Sequence, residues 1–186
     1  MSVNGCILAV LGRAELLPFC DGAFALVYSV DVIHHVVDRK MAASEAARVL
    51  RTGGVLAIAT DGEDDLTKRI PLASHFPETV EAERLRYPEI GTIRAELEGA
   101  GFGQIEERHV VFTYPIRNIQ PYRDKAFSSL HLISDNAFAK GLDRLERNFG
   151  RGSNSCLVAL HRACGCTWIT QLRWWIACGC RSAARL

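Results

Sequence analysis

Nowhere in these 186 residues does an apolar run reach the roughly 18 needed to cross a bilayer, and no G-x-G-x-G turn leads from a strand into a helix, the one stretch of that spacing, Gly99-Ala100-Gly101-Phe102-Gly103, falling at the end of the helix expected over Pro88–Gly101. The first absence excludes an apolar membrane-spanning helix. The second removes the loop in which small residues let backbone N–H groups and a helix dipole approach a nucleotide. A nicotinamide-dependent oxidoreductase loses its main sequence support for the same reason. An excess of one charge is missing too: net charge is +1 with 23% charged residues, which gives no strong field for nucleic acid or an anionic membrane. No charged stretch followed by an apolar one opens the chain. The expectation is a cytoplasmic protein with no nucleic-acid or membrane partner. Acidic residues are absent after Gly150, where five arginines fall.

Seven cysteines do not make a disulfide framework here. Cys6, Cys20 and Cys156 stand singly in ordinary α/β segments, where a buried free thiol is the usual role. Cys164-x-Cys166 and Cys178-x-Cys180 could offer four sulfurs to zinc, but structural sites commonly place two or more residues between paired cysteines. We assign no metal.

What is present is organised around residues 14–61. Phe24–Val30 has strand length and apolar character, entered through the turn Cys20-Asp21-Gly22, and reads as a buried strand. From Asp38 to Arg51, Met41, Ala42, Ala46, Val49 and Leu50 recur at helical spacing, with Gly53-Gly54 as a stop. Val55–Thr60 is a second apolar run. Strand, crossover helix and parallel strand place the chain in the α/β class, with ligands expected at the carboxyl ends of the strands, Ser29–His35 and Thr60–Asp64. Asp61, Glu63, Asp64 and Asp65 read as a solvated loop and helix N-terminus. Two short helices are expected between Leu66 and Tyr87, another over Pro88–Gly101, and a strand over Gln104–Tyr114. Tyr122–Phe149 reads as mostly helical, with Ser134-Asp135 as an internal cap. A last strand covers Ser155–His161. With only Ile7–Leu11 ahead of it, the strand at Phe24 is exposed to becoming an uncovered apolar edge that self-associates.

LPF followed by a DG turn and F-x-L-V, a strand running into IHHV, EAARVLRTGG before the next strand and AGF at Ala100–Phe102 together resemble a class I S-adenosylmethionine-dependent methyltransferase of the UbiE-like, methyltransferase type 11 kind. The resemblance covers about Leu11–Arg162 and implies an incomplete Rossmann-like sheet with flanking helices and an antiparallel final strand. It further implies a domain at 1–162, truncated at its N-terminus, with residues 163–186 an atypical Cys/Trp/Arg-rich tail outside the fold. The implied cofactor is S-adenosyl-L-methionine and the implied partner a small-molecule methyl acceptor. Cofactor-binding positions carried over are Ala14, Glu15, Ser29, Val30 and His34. Arg13 stands where the family commonly has an acid facing the adenine amino group, and arginine offers no acceptor. Catalytic residues are not assigned; His34, His35, Tyr87, Tyr114 and Tyr122 are the titratable candidates near the strand ends. The missing glycine loop keeps a second reading open, a cofactor-free remnant acting as a binding or structural module.

Overall fold

The computed structural model describes residues 8–110, 112–150, 157–160 and 168–169. The Cys-x-Cys pairs therefore lie outside the described residues, as does most of the 163–186 tail. In chain order the elements are β1 (Phe24–Val30), α1 (Arg39–Val49), β2 (Leu50–Ala59), α2 (Glu63–Leu66), α3 (Leu72–His75), α4 (Glu78–Arg84), α5 (Ile90–Gly99), β3 (Ile105–Glu106), β4 (Phe112–Pro115), α6 (Gln120–Arg123), α7 (Asp135–Gly150), β5 (Leu157–Leu160) and β6 (Trp168–Ile169). Short 3-10 turns occupy Ile33–His35 and Ser128–His131.

β1 and β2 pair in parallel through α1, giving an incomplete Rossmann-like α/β unit. Asp38 opens α1 by accepting from the Met41 amide (2.9 Å), and the helix presents Ala43, Ala46 and Val49 inward. Met41, expected on that stripe, is half exposed. α1 passes into strand at Leu50, so Gly53-Gly54 lie inside β2 and end no helix. The pairing shifts register between Phe24 and Leu26, which lets Phe24 and Val27 both reach the core. β4 and β5 pair antiparallel, as do β3 and β6, so the strand expected over Gln104–Tyr114 is two short strands with different partners. Trp168–Ile169, within the tail, are the strand opposite β3.

β1 is not the buried strand that its composition suggests. Val27 and Ser29 face the helices, whereas Leu26 is 53% and Tyr28 72% exposed. Among the described residues β2 is the one strand beside it, and Leu8–Leu11 lie as exposed coil. Among the described residues, no strand pairs with the other edge of β1.

Two apolar clusters hold the chain. The first joins the sheet to α1 and α5 through Leu56, Ile58, Ala46, Ile93 and Leu97. The second gathers Leu72, Phe76, Ile119, Tyr122, Leu130 and Leu145 under α7. Ser134 begins α7 by accepting from the Ala137 amide (3.2 Å), as its cap position implies. Gly141 is the closest contact in the second cluster: a Cβ there would overlap the Phe76 ring and sit 2.8 Å from the His75 carbonyl oxygen. Gly141→Ala is expected to lower unfolding free energy by about 1–3 kcal/mol despite alanine's better helix propensity, read as a lower denaturant midpoint with unchanged slope.

Candidate functional site

α1 sets the path of the loop that enters β1. The Arg48 guanidinium donates to the carbonyl oxygens of Phe19 (2.8 Å) and Leu17 (3.0 Å) and to Asp21 (2.6 Å). One turn earlier Glu45 accepts from the Leu17 amide (2.8 Å) and from Arg48. The hydrogen bonds from Arg48 and from the Leu17 amide hold the Glu45 carboxyl down at about 2. Upstream, Glu15 pairs with Arg13 (3.5 Å) and accepts from the Asp38 amide (3.4 Å), and its pKa is lowered, chiefly by backbone hydrogen bonding. The effect of these contacts is to fix Ala14 against the sheet.

Beside Ala14 a cavity of about 450 Å³ opens at the carboxyl end of β1. Ser29, Val30 and Ile33 line it from the strand and following turn, and Ala43, Ala46, Ile93 and Leu97 from the helices. Its charged lining residues are Arg39 and Glu96, which bind each other through two 3.0 Å hydrogen bonds. The remaining wall is apolar and suits a flat or aliphatic ligand group.

A polar cluster lies past the end of β2. Arg69, buried, donates to Asp61 through Nε (2.5 Å) and Nη2, to Glu83 through Nη1 (2.5 Å) and to the Tyr87 hydroxyl (2.6 Å). Its guanidinium carbon lies 4.8 Å from the Tyr87 ring centre. On that ring His34 stacks at 4.1 Å. Burial pushes the Tyr87 hydroxyl up to about 12. Burial also raises the Asp61 carboxyl, against the pull of Arg69. For Arg69 burial works against the charge, and Asp61, Tyr87 and Glu83 outweigh it, so its hold on the proton is strengthened. His34 is driven down to about 4 by burial first, then by the charges of His35, Arg86 and Arg69, so its ring is neutral near pH 7. Arg86 reaches Glu83 (3.4 Å) and Ser128 (3.2 Å) from the rim. Asp31, at positive φ (53°), turns the chain after β1 and is held by its amide on Ala59 O (2.9 Å).

Of the expected site residues, Ala14, Ser29 and Val30 share the apolar cavity. Glu15 does not line it, its carboxylate being engaged by Arg13 and Asp38. His34 sits in the polar cluster instead. The acidic run is a helix N-terminus as expected, Glu63, Asp64 and Asp65 forming the first turn of α2, but only Glu63 and Asp64 are solvated: Asp61 and Asp65 are buried, and Asp65 meets His109 at 3.1 Å. Arg69, Glu83 and Arg86 were not expected at the site. The available signal was a basic residue followed by acids at helical spacing in 69–87, which does not by itself distinguish a buried pair from a solvated one.

Comparison with known proteins follows the same geometry. Residues 3–58 match the family described as Methyltransferase domain. An O-methyltransferase of Aspergillus nomiae, rstn1, is 33% identical over 102 residues, covering 55% of this chain. The match spans 44% of that protein's length, less than half of it. Among solved structures, an Anabaena variabilis protein assigned as a methyltransferase of an antibiotic biosynthesis pathway superposes with a TM-score of 0.61 at 23% identity, covering 86% of this chain and 70% of that one. That likeness is one of fold.

Arg69→Met should cost about 3–5 kcal/mol, because it leaves Asp61 and Glu83 buried without their cation; equilibrium denaturation measures it. For His34 the unfolded ring takes a proton near its ordinary value of about 6.5 and the folded ring only near 4. The unfolded state thus binds more protons in that window, and stability is lost as pH falls through it. The fall in Tm on acidification from neutrality should be smaller in His34→Phe than in the unaltered chain; His75, also lowered by burial, supplies a remaining part.

Proposed function

Because this chain carries a class I S-adenosylmethionine-dependent methyltransferase domain, we propose that it serves methyl transfer to a small molecule in the cytoplasm, with S-adenosyl-L-methionine as cofactor. The observation that carries the reading is the convergence of Ala14, Ser29 and Val30 on one cavity at the carboxyl end of β1. In the Aspergillus nomiae relative the activity is O-methyl transfer, which supports an oxygen acceptor here.

The cofactor, when bound, supplies an electrophilic methyl group on a sulfonium. What the residues of this chain contribute is placement. The Ala14 backbone, close to the Leu17 main chain that Glu45 and Arg48 hold, would bind the adenine part of the cofactor. Ser29 and Val30 form the floor toward the acceptor, and the apolar wall of Ile33, Ile93 and Leu97 excludes water. Holding two reactants in attack geometry is worth up to about 7–11 kcal/mol in favourable cases. His34, neutral and next to Ile33, stacks on Tyr87 outside the lining of that cavity.

A second reading is a cofactor-free module that binds or supports without catalysis. It is favoured by Arg13, whose guanidinium pairs with Glu15 at 3.5 Å and offers no acceptor. Titration calorimetry with S-adenosylhomocysteine separates the two. Saturable heat that Ser29→Phe abolishes is expected for the methyltransferase; silence at millimolar ligand supports the module.

The open β1 edge supports a further element of the proposal, self-association of the chain. Sedimentation velocity should show a concentration-dependent shift to larger species, and Tyr28→Lys, placing a charge on the edge, should suppress it. A monomer at all concentrations would remove this element.

A further inference from the structure

α7 lies close on α3 because position 141 carries no side chain: a Cβ there would overlap the Phe76 ring. That approach brings the last turns of α7 to the carboxyl end of α3. Arg144 donates to the His75 carbonyl oxygen through Nε (3.0 Å) and Nη2 (2.6 Å), and the Asn148 amide meets the His75 ring at Nε2 (3.0 Å). On the other side, the Ser74 hydroxyl lies 3.2 Å from the Pro71 carbonyl oxygen and 2.9 Å from His75 Nδ1. Between the two helices a cavity of about 350 Å³ remains, lined by Ser74, His75, Arg144, Arg147 and Asn148.

Every lining residue is polar, and the set holds two guanidinium groups and no carboxylate. The cavity beside β1 differs, since Arg39 is matched there by Glu96, and the cleft at α2 mixes Lys68 and Arg108 with several carboxylates. Arg144 spends Nε and Nη2 on a main-chain carbonyl oxygen, which anchors the group without cancelling its charge. Arg147 holds Asp143 at 2.7 Å, but both side chains are more than half exposed, and such a pair is weak in water. Burial lowers the His75 pKa, the Pro71 carbonyl oxygen opposes this, and the Arg144 charge adds to it, so the excess positive charge is felt within the cavity.

From this arrangement we infer that the cavity between α3 and α7 binds the phosphate group of a small polar molecule. Two guanidinium groups in one small lining call for an oxyanion. Donors stand on both walls, Arg144, Arg147 and Asn148 on α7 and Ser74 on α3. That suits a tetrahedral group whose oxygens point to several sides, whereas a carboxylate presents its two in one plane. A bare phosphate leaves most of the volume empty, so the group arrives on a larger molecule, and the polar lining selects a hydroxylated one over an apolar one. The site shares no lining residue with the cavity of Ala14, Ser29 and Val30 and is independent of the methyltransferase reading.

Calorimetric titration of the full chain at constant ionic strength tests the site, with glycerol 3-phosphate as probe, glycerate as the planar anion of similar polarity and inorganic phosphate as the bare group. Glycerol 3-phosphate should bind at roughly millimolar concentration, inorganic phosphate more weakly and glycerate about tenfold more weakly. Arg144→Gln and Arg147→Gln should each weaken glycerol 3-phosphate about tenfold. Arg147→Gln changes an exposed side chain and decides the matter alone if Arg144→Gln does not fold. Absence of saturable heat with glycerol 3-phosphate, equal binding of glycerate, or unchanged affinity in folded Arg147→Gln would overturn the proposal. Inorganic phosphate binding as tightly as glycerol 3-phosphate would overturn the larger molecule and assign the site to the free ion.

Discussion

The guanidinium of Arg69 is the point on which the two halves of the described structure meet. Asp61 continues the end of β2, and so belongs to the sheet with its α1 and α5 cluster. Glu83 and Tyr87 belong to α4 and the chain after it, which pack with the second cluster under α7. A buried cation among two carboxylates and a phenol has no neutral alternative, because arginine stays protonated. The geometry of all three partners is therefore fixed at once. Hydrophobic contact alone would let the helical layer slide over the strand ends. A network of directed hydrogen bonds does not, and this is where specificity is set even if the net stabilisation from a buried ion pair is small.

That constraint also positions the candidate site. Tyr87 is held by Arg69 and carries His34 on its face, so the turn after β1 is oriented from the far side of the sheet end. From the near side, Ile33 packs into the sheet cluster. One short turn is thereby anchored by an apolar contact and an aromatic stack, with the apolar cavity beside Ile33 and the polar cluster beside His34.

The sequence was most readable where structure is local. The strand at Phe24–Val30 and the capping of α7 by Ser134 both depend on neighbours within a few residues. The entry to β2 was misread because Gly53-Gly54 has the composition of a helix stop, while the parallel partner that makes it strand lies near Leu26, about a helix and turn away. Burial was misread in both directions. β1 looks buried by composition but has one strand neighbour among the described residues, and within the Asp61–Asp65 run Asp61 and Asp65 look solvated although they are buried and paired with Arg69 and His109. Of the candidate site, the shared placement of Ala14, Ser29 and Val30 at a strand end was legible through the strand-end rule and the family resemblance, and the burial of Arg69 with Glu83 and Arg86 beside it was not. A charged residue shows its sign in a sequence and not its depth.

The clamp from α1 has a different kind of consequence. Arg48 and Glu45 hold the incoming loop mostly by its main chain, taking the carbonyl oxygens of Leu17 and Phe19 and the amide of Leu17, with Asp21 the one side chain involved. Phe19 packs edge-on against Phe24 at 4.9 Å, and Leu16, Pro18 and Cys20 are left exposed. Their identities can drift over generations without moving the loop, since every residue type except proline at position 17 presents the same groups to the helix. The path of the loop is inherited through two residues of α1, and its outer surface is free to acquire new contacts.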